Sequence, residues 1–279
     1  MGRLRDEGGA WLNSEGDKVG GLVRDLFGKE TARNASGAEG VVACPYDEEM
    51  VMGWVRDTLS GTKNNSAAGP DGVGYPLIKA IRATRLGIQE LGEVVSALKG
   101  GYIPDRWLDM RVVLIPKPER DLTQTKNWRP LNLINCIGKL REKVVADRIQ
   151  DEGSSILHHQ QYSSVRGCSA VDILYKSVVR ARHCLENEGS VGGVFWVVKG
   201  GFQNVRSAEV LARLAGCDPL RCWVPWLERF MSPREFEVVW DGKISGRGAA
   251  AKGCPRAPCS PQTCSWCLWP RSWKKWSAG

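Results

Sequence analysis

Three groups of residues in this chain could do chemistry by type and spacing. The first is cationic. Lys117, Arg120 and Lys126 crowd the polar stretch between Pro116 and Asn127, and Arg129 follows closely. Ammonium and guanidinium groups this close can hold phosphate oxygens, and a planar guanidinium can grip two at once. The second is a thiol cluster, Cys254, Cys259, Cys264 and Cys267, ending in Cys-x-x-Cys. Four thiolates can bind zinc, but this spacing fits no finger pattern and no His completes it. No metal site is assigned there. The third is the pair His158 and His159, which has no clustered acid or thiol and reads as loop surface.

The whole chain is basic, with a formal charge of +8 over 279 residues. Such an excess can hold a polyanion through counterion release, and weak nucleic-acid binding is one reading of it. A modest excess is also common on proteins with no such partner, so charge alone leaves both readings open. No apolar run is long enough to span a bilayer, so no membrane partner is expected. The charged start Met-Gly-Arg-Leu-Arg-Asp-Glu has no secretory apolar core, and Asp6 breaks the myristoylation pattern. An intracellular location is expected, in nucleus or cytoplasm, with the ten cysteines reduced. The sequence leaves the oligomeric state open.

These residues need elements to position them. Residues 1–45 are Gly-rich and mixed in charge, and read as a linker or partial helix. Tyr46 to Leu59 reads as a helix capped by Asp47, with Glu48 and Glu49 in its first turn. Ser60 to Gly74 is a loop in which Asp71 caps the following amides. Helices resume from Pro76 through Lys99. Arg111 to Ile115 is a β-branched strand stopped by Pro116. The next helix sets Leu133, Ile137, Leu140 and Val144 on one face. A helix over Ala170 to Glu186 separates Val171, Leu174, Val178 and Ala181 from Lys176, Arg180 and His183. That basic face is either solvated surface or a nucleic-acid contact. Val194 to Val198 reads as a buried apolar strand running into a tight turn at Gly200 and Gly201. Phe236 to Ile244 reads as a hairpin with an Asp-Gly turn.

Five motifs follow one another along the chain. They are Ser66-Ala-Ala-Gly-Pro-Asp-Gly72, Val112-Val-Leu-Ile-Pro-Lys-Pro118, Asn127-Trp-Arg-Pro-Leu-Asn-Leu-Ile-Asn135 with the Gly138 to Arg148 helix, Gln161 to Ala170, and Val198-Lys-Gly-Gly-Phe-Gln-Asn-Val205. In order and spacing this series resembles the reverse transcriptase domain of LINE-type (non-LTR) retrotransposons, over about residues 45 to 255. The resemblance implies RNA-directed DNA synthesis on an RNA template and a DNA primer. It implies an α+β fold: a partial right-hand polymerase, fingers and the first part of the palm, with helices packed on a small antiparallel sheet. It assigns triphosphate binding to Lys117 and Arg129, and the check on the sugar to Phe202 over Gly200 and Gly201. Arg166, Lys176, Arg180 and Lys199 are the nucleic-acid contacts on this reading.

The chain departs from the family where catalysis should sit. Two-metal phosphoryl transfer needs carboxylates around Mg²⁺. The family's first palm aspartate maps to Val197, and its second acidic position in the turn to Gln203. The family's Ala-Asp-Asp pair falls beyond about residue 280 in the pattern, and that tripeptide is absent from the sequence. No metal site is therefore assigned, and the chain is expected to be an inactive, degenerate and truncated member. The alternatives are a non-catalytic RNA- or DNA-binding remnant, or an inert and poorly folded pseudogene product.

The tail carries a further expectation. After Pro255 the composition turns abruptly to Trp, Cys and Pro, where the family pattern calls for Gln-Gly-Ser-Pro-Leu-Ser-Pro. Back-translation with Arg256 as AGG, shifted by one base, permits Gln-Gly-Ser-Leu-Phe-Ser-Pro followed by an apolar helical pattern. Residues 256–279 are thus expected to be an aberrant, frameshifted tail behind a 46–255 fingers and palm fragment. Trp266, Trp269, Trp273 and Trp276 then have no designed role.

Overall fold

A computed structural model describes residues 3–14, 16–18, 20–22, 45–84, 87, 103–104, 107–153, 160–163, 165–195, 207–232, 234–240 and 243–250. Its centre is a four-stranded sheet. Strands β3 (Met110–Pro116) and β4 (Trp128–Leu133) form an antiparallel hairpin. Strands β5 (Arg234–Trp240) and β6 (Lys243–Ala250) form a second. The two hairpins meet through β3 and β5, which run parallel with Met110 opposite Phe236. The order is β4-β3-β5-β6.

The sheet is therefore mixed, which corrects the antiparallel expectation. Each hairpin is antiparallel because the connection between its strands, the loop 117–127 in one and two residues in the other, reverses the chain without a crossover. The pairing between hairpins is fixed by the long helical excursion from β4 to β5, which brings the chain back in the direction of β3. The α+β class stands.

Alternation along the strands gives the sheet two unlike faces. Met110, Val112, Phe236 and Val238 point to one side and are almost fully buried. Helices cover them. Helix α1 (Glu48–Ser60) is capped by Asp47, whose carboxylate accepts from the Met50 amide at 2.7 Å, with Glu48 and Glu49 in the first turn. It buries Val51, Val55 and Leu59, one stripe at four-residue spacing, against helix α2 (Tyr75–Arg82) and helix α3 (Cys136–Glu152). Helices α5 (Ser207–Ala215) and α6 (Val224–Phe230) close the main core with Leu214, Trp226 and Phe230. Trp226 stacks on Phe230 at 4.8 Å between centroids. Each fully buried aliphatic side chain of this kind contributes about 1.5–3 kcal/mol.

The Ser60–Gly74 loop is tied down at several points. Lys79 donates to the Thr62 carbonyl at 2.7 Å and to Asn64 Oδ1 at 2.9 Å. Asp71 Oδ1 accepts from the Val73 amide at 3.1 Å, the cap its sequence position suggests. Gly69 is required by close approach: a Cβ there would lie 2.5 Å from the Asn135 backbone.

Residues 3–22 are more than a linker. Strands β1 (Leu4–Arg5) and β2 (Trp11–Leu12) pair as a hairpin. Residues 16–18 and 20–22 are helical. Leu4 and Leu22 are buried against Leu114, Trp128 and Trp240 of the sheet.

Two expectations meet the structure differently. Helix α4 (Ala170–Glu186) forms as its periodicity suggests, but none of its residues is buried. At the expected buried strand, Val194 and Phe195 carry no strand pairing and are 77% and 96% exposed. A strand needs a neighbouring edge for its amides, and the four-stranded sheet does not supply one to these two residues. Residues 196–206, His158, His159, the Asp241-Gly242 turn and the tail after Ala250 lie outside the described residues. Among the described residues, no helix is long and apolar enough to cross a membrane.

Candidate nucleotide and nucleic-acid interface

The β3–β4 hairpin positions the two cations that the sequence singles out. Ile115 stands opposite Arg129 in the ladder, so their side chains share a face. The ladder continues one step past the strand, as the Lys117 amide donates to the Asn127 carbonyl at 3.0 Å. Alternation then sets Lys117 on the same face as Ile115. Lys117 and Arg129 are thus diagonal neighbours on the side of the sheet away from the core. Arg129 and Ile115 are exposed, and Lys117 is half-buried. Farther along that face, Arg111 pairs with Glu237 at 2.6 Å across the parallel strands.

The loop joining the strands is internally braced. The Asp121 carboxylate accepts from the Thr123 amide at 2.9 Å, the Thr123 hydroxyl at 2.7 Å and the Gln124 side chain at 3.1 Å. The Thr123 hydroxyl bond, more than any other interaction, holds this carboxyl below its ordinary range. Trp128 Nε1 donates to the Leu122 carbonyl at 3.0 Å, and Asn127 reaches the Asp121 carbonyl at 2.8 Å. The Lys117 ammonium donates to the Lys126 carbonyl. That bond uses one of the ammonium's three donors and fixes where the charge sits.

The second group of candidates is dispersed. Arg166 is committed to helix α3. It bridges Asp151 at 2.7 Å and Asp147 at 3.1 Å, while its amide donates to Gln150 Oε1 at 3.1 Å. Its charge is already matched by carboxylates, which weakens it as a phosphate ligand and makes it a clamp on the loop before α4. Lys176 lies over the Tyr162 ring at 4.8 Å, and the Tyr162 hydrogen bond raises its pKa. Arg180 is exposed on α4. Lys199, Gly200, Gly201, Phe202, Val197 and Gln203 lie outside the described residues.

Sequence reasoning missed two polar features. Lys139, Arg141 and Glu142, to which the sequence reading gave no role of their own, are each about 2% exposed or less. Lys139 donates to the Ala67 carbonyl at 2.5 Å, tying α3 to the Ser60–Gly74 loop. Arg141 lies 5.7 Å from the Trp226 ring, and burial pushes its pKa down to about 9. No periodicity rule marks such residues, because a buried charge is identified only by its neighbours. The amino-terminal hairpin did leave a signal: Leu4-Arg5 and Trp11-Leu12 alternate around Gly8-Gly9.

Among the described residues, no group of three or more His, Cys, Asp or Glu side chains is placed to hold a metal ion. The family model described as "Reverse transcriptase (RNA-dependent DNA polymerase)" matches residues 115–269, more than half of the chain and past Pro255. The chain is similar to the Retrovirus-related Pol polyprotein from type-1 retrotransposable element R2 of Popillia japonica. The two are 32% identical over 119 residues, 42% of this chain and 16% of that protein. It is 23% identical to the RNA-directed DNA polymerase from mobile element jockey of Drosophila melanogaster, over 58% of this chain and 18% of the relative. It is 27% identical to a putative 115 kDa protein in type-1 retrotransposable element R1DM of the same fly, over 71% of this chain and 19% of the relative. The chain thus spans less than a fifth of these relatives' length.

Proposed function

The chain belongs to the reverse transcriptase (RNA-dependent DNA polymerase) family and resembles polymerases of non-LTR retrotransposons, and from that premise we propose a phosphate-gripping nucleic-acid-binding domain without nucleotidyl transfer of its own. One observation carries this reading. Lys117 and Arg129 stand side by side on the open face of the β3–β4 hairpin. A guanidinium and an ammonium so arranged suit a triphosphate or a strand of RNA or DNA. On this reading residues 46–255 are fingers and the first part of a palm, and an RNA template with a DNA primer is the partner. Phe202, with Gly200 and Gly201 beneath it, would face the sugar.

Catalysis is where the reading parts from the relatives. The family generally uses Mg²⁺, a hard cation that wants carboxylate oxygens. Val197 offers it no lone pair, and Gln203 offers one neutral amide oxygen. These donors do not fit the metal, and no metal-dependent step is assigned.

Two measurements on the purified chain test the proposal. Binding to a labelled RNA template with an annealed DNA primer should weaken linearly as log salt rises. Lys117→Gln with Arg129→Gln should reduce that slope by about 0.7–0.9 for each phosphate the pair no longer neutralises. Primer extension with Mg²⁺ or Mn²⁺ should stay at background, and Val197→Asp should leave it there, since it adds one carboxylate where the chemistry needs more. Nucleotide incorporation above background, or binding indifferent to salt, would sink the proposal.

A further inference from the structure

The amino-terminal hairpin presents an unexplained outward face. In β1 and β2, Leu4 stands opposite Leu12 and Arg5 opposite Trp11. Directly opposed residues share a face, so the pleat sorts them cleanly. Leu4 points in, 1% exposed, and is pinned with Leu12 against Leu114, Trp128 and Trp240. Arg5 and Trp11 point out, and alternation puts Arg3 beside them. The Arg5 guanidinium lies 4.0 Å from the Trp11 ring centroid, and that of Arg3 lies at 6.0 Å. Trp11 remains 43% exposed.

The hairpin is also fixed to the candidate interface. The Arg5 amide donates to the Thr123 carbonyl at 2.5 Å, and Arg5 bridges Gln124 in parallel. Thr123 and Gln124 belong to the loop that begins at Lys117 and carries Arg120 and Lys126. Two acids near the hairpin, Asp6 and Asp121, are engaged in local bonds. Asp6 Oδ1 accepts from the Ala10 amide at 2.9 Å inside the hairpin turn, where Gly9 takes φ +86°. Asp121 is held by Thr123 and Gln124, although Arg5 also lowers its pKa.

An exposed indole between two arginines, docked rigidly beside a basic loop, has the chemistry of a stacking platform for single strands. A base can stack on the open indole face, and the arginines can reach the flanking phosphates. We propose that the outward face of the amino-terminal hairpin, Arg3, Arg5 and Trp11, binds a single strand of RNA as it leaves the β3–β4 hairpin. The inference rests on the nucleic-acid-binding reading above and extends it to residues 3–12.

The test uses the full chain and a short fluorescein-labelled oligouridylate, read by anisotropy over a salt series. Trp11→Ala should weaken binding about tenfold, and Trp11→Phe, which keeps an aromatic face, by less than about threefold. Arg3→Gln should reduce the salt slope by about 0.7. Amide exchange at Arg5, whose N–H bonds to Thr123, reports whether the hairpin stays docked. If Trp11→Ala releases that amide, the Phe and Arg3 variants decide. Wild-type affinity in a docked Trp11→Ala variant, or an unchanged salt slope in Arg3→Gln, overturns the inference. If Lys117→Gln with Arg129→Gln abolishes binding while the hairpin variants bind normally, this inference falls and the proposed function stands. If the wild-type chain binds no RNA, both fall.

Discussion

Helices α3 and α4 are each 17 residues long and are near opposites. Helix α4 has the cleaner amphipathic stripe in sequence, with Val171, Leu174 and Val178 on one side and Lys176 and Arg180 on the other. It buries nothing: Val171 is 71% exposed and Leu174 64%. Helix α3 is dense with charge, yet it buries ten residues, Lys139, Arg141 and Glu142 among them. Periodicity is a property of the segment, whereas burial is a property of what lies against it. Helix α3 follows directly from β4, so its packing against the sheet and α1 is built into a short connection. Helix α4 follows the loop that Arg166 clamps, and it projects from that clamp.

Substitutions can break this contrast. The largest effect is expected from Val145→Asp in α3, where the native side chain is wholly buried. An unpaired carboxylate there should cost more than about 4 kcal/mol. Val178→Asp, the same change on α4, should stay within about 0.5 kcal/mol. Urea unfolding of both variants compares them directly, and equal losses would refute the contrast.

A smaller effect is expected from Lys139→Met. It removes the bond to the Ala67 carbonyl and should cost about 1–3 kcal/mol. Amide exchange at Gly72, whose N–H bonds to the Gly69 carbonyl, should quicken with it. Protection unchanged at Gly72 would mean that the lysine does not hold the loop.

Arg166→Ala removes two ion pairs, but the arginine side chain is 59% exposed. Solvent screening should keep the loss below about 1 kcal/mol, and the difference from wild type should shrink further in high salt. A loss of several kcal/mol would show that this clamp, and not α4 itself, anchors the region.

The smallest effect is confined to the first turn of α4. Ser169 and Asp172 form a reciprocal capping box, and the bonds from Ser169 hold the Asp172 carboxyl below its ordinary value. A depressed folded pKa gives stability that is present above the unfolded value, about 3.9, and is lost as pH falls through the folded one. Amide exchange in this turn should therefore quicken only below about pH 4. Asp172→Asn should abolish that pH dependence, and its persistence would point to another acid.

Much of the architecture was legible from local chemistry. The Asp47 cap, the Asp71 turn, the β3 strand and the β5–β6 hairpin follow from side chains that act on their own backbone within a few residues. The shared face of Lys117 and Arg129 was not legible, because it rests on the β3–β4 register that only the ladder shows. The parallel pairing of β3 with β5, the exposure of α4 and the docking of the amino-terminal hairpin were not legible. Each depends on residues far apart in sequence meeting in space, and no window along the chain contains both partners.

By itself the sequence determined the family, through five ordered motifs, and it determined that residue 197 is a valine, which has no carboxylate to offer. Those are statements about identity and order, which no folding can change. The tertiary structure decided which cations face carboxylates and which stand exposed on the sheet. Arg166 has the same guanidinium as Arg129, but two aspartates of α3 already neutralise it, while Arg129 stands exposed beside Lys117. Charge is written in the residue, and its availability is set by what the fold puts within about 4 Å of it.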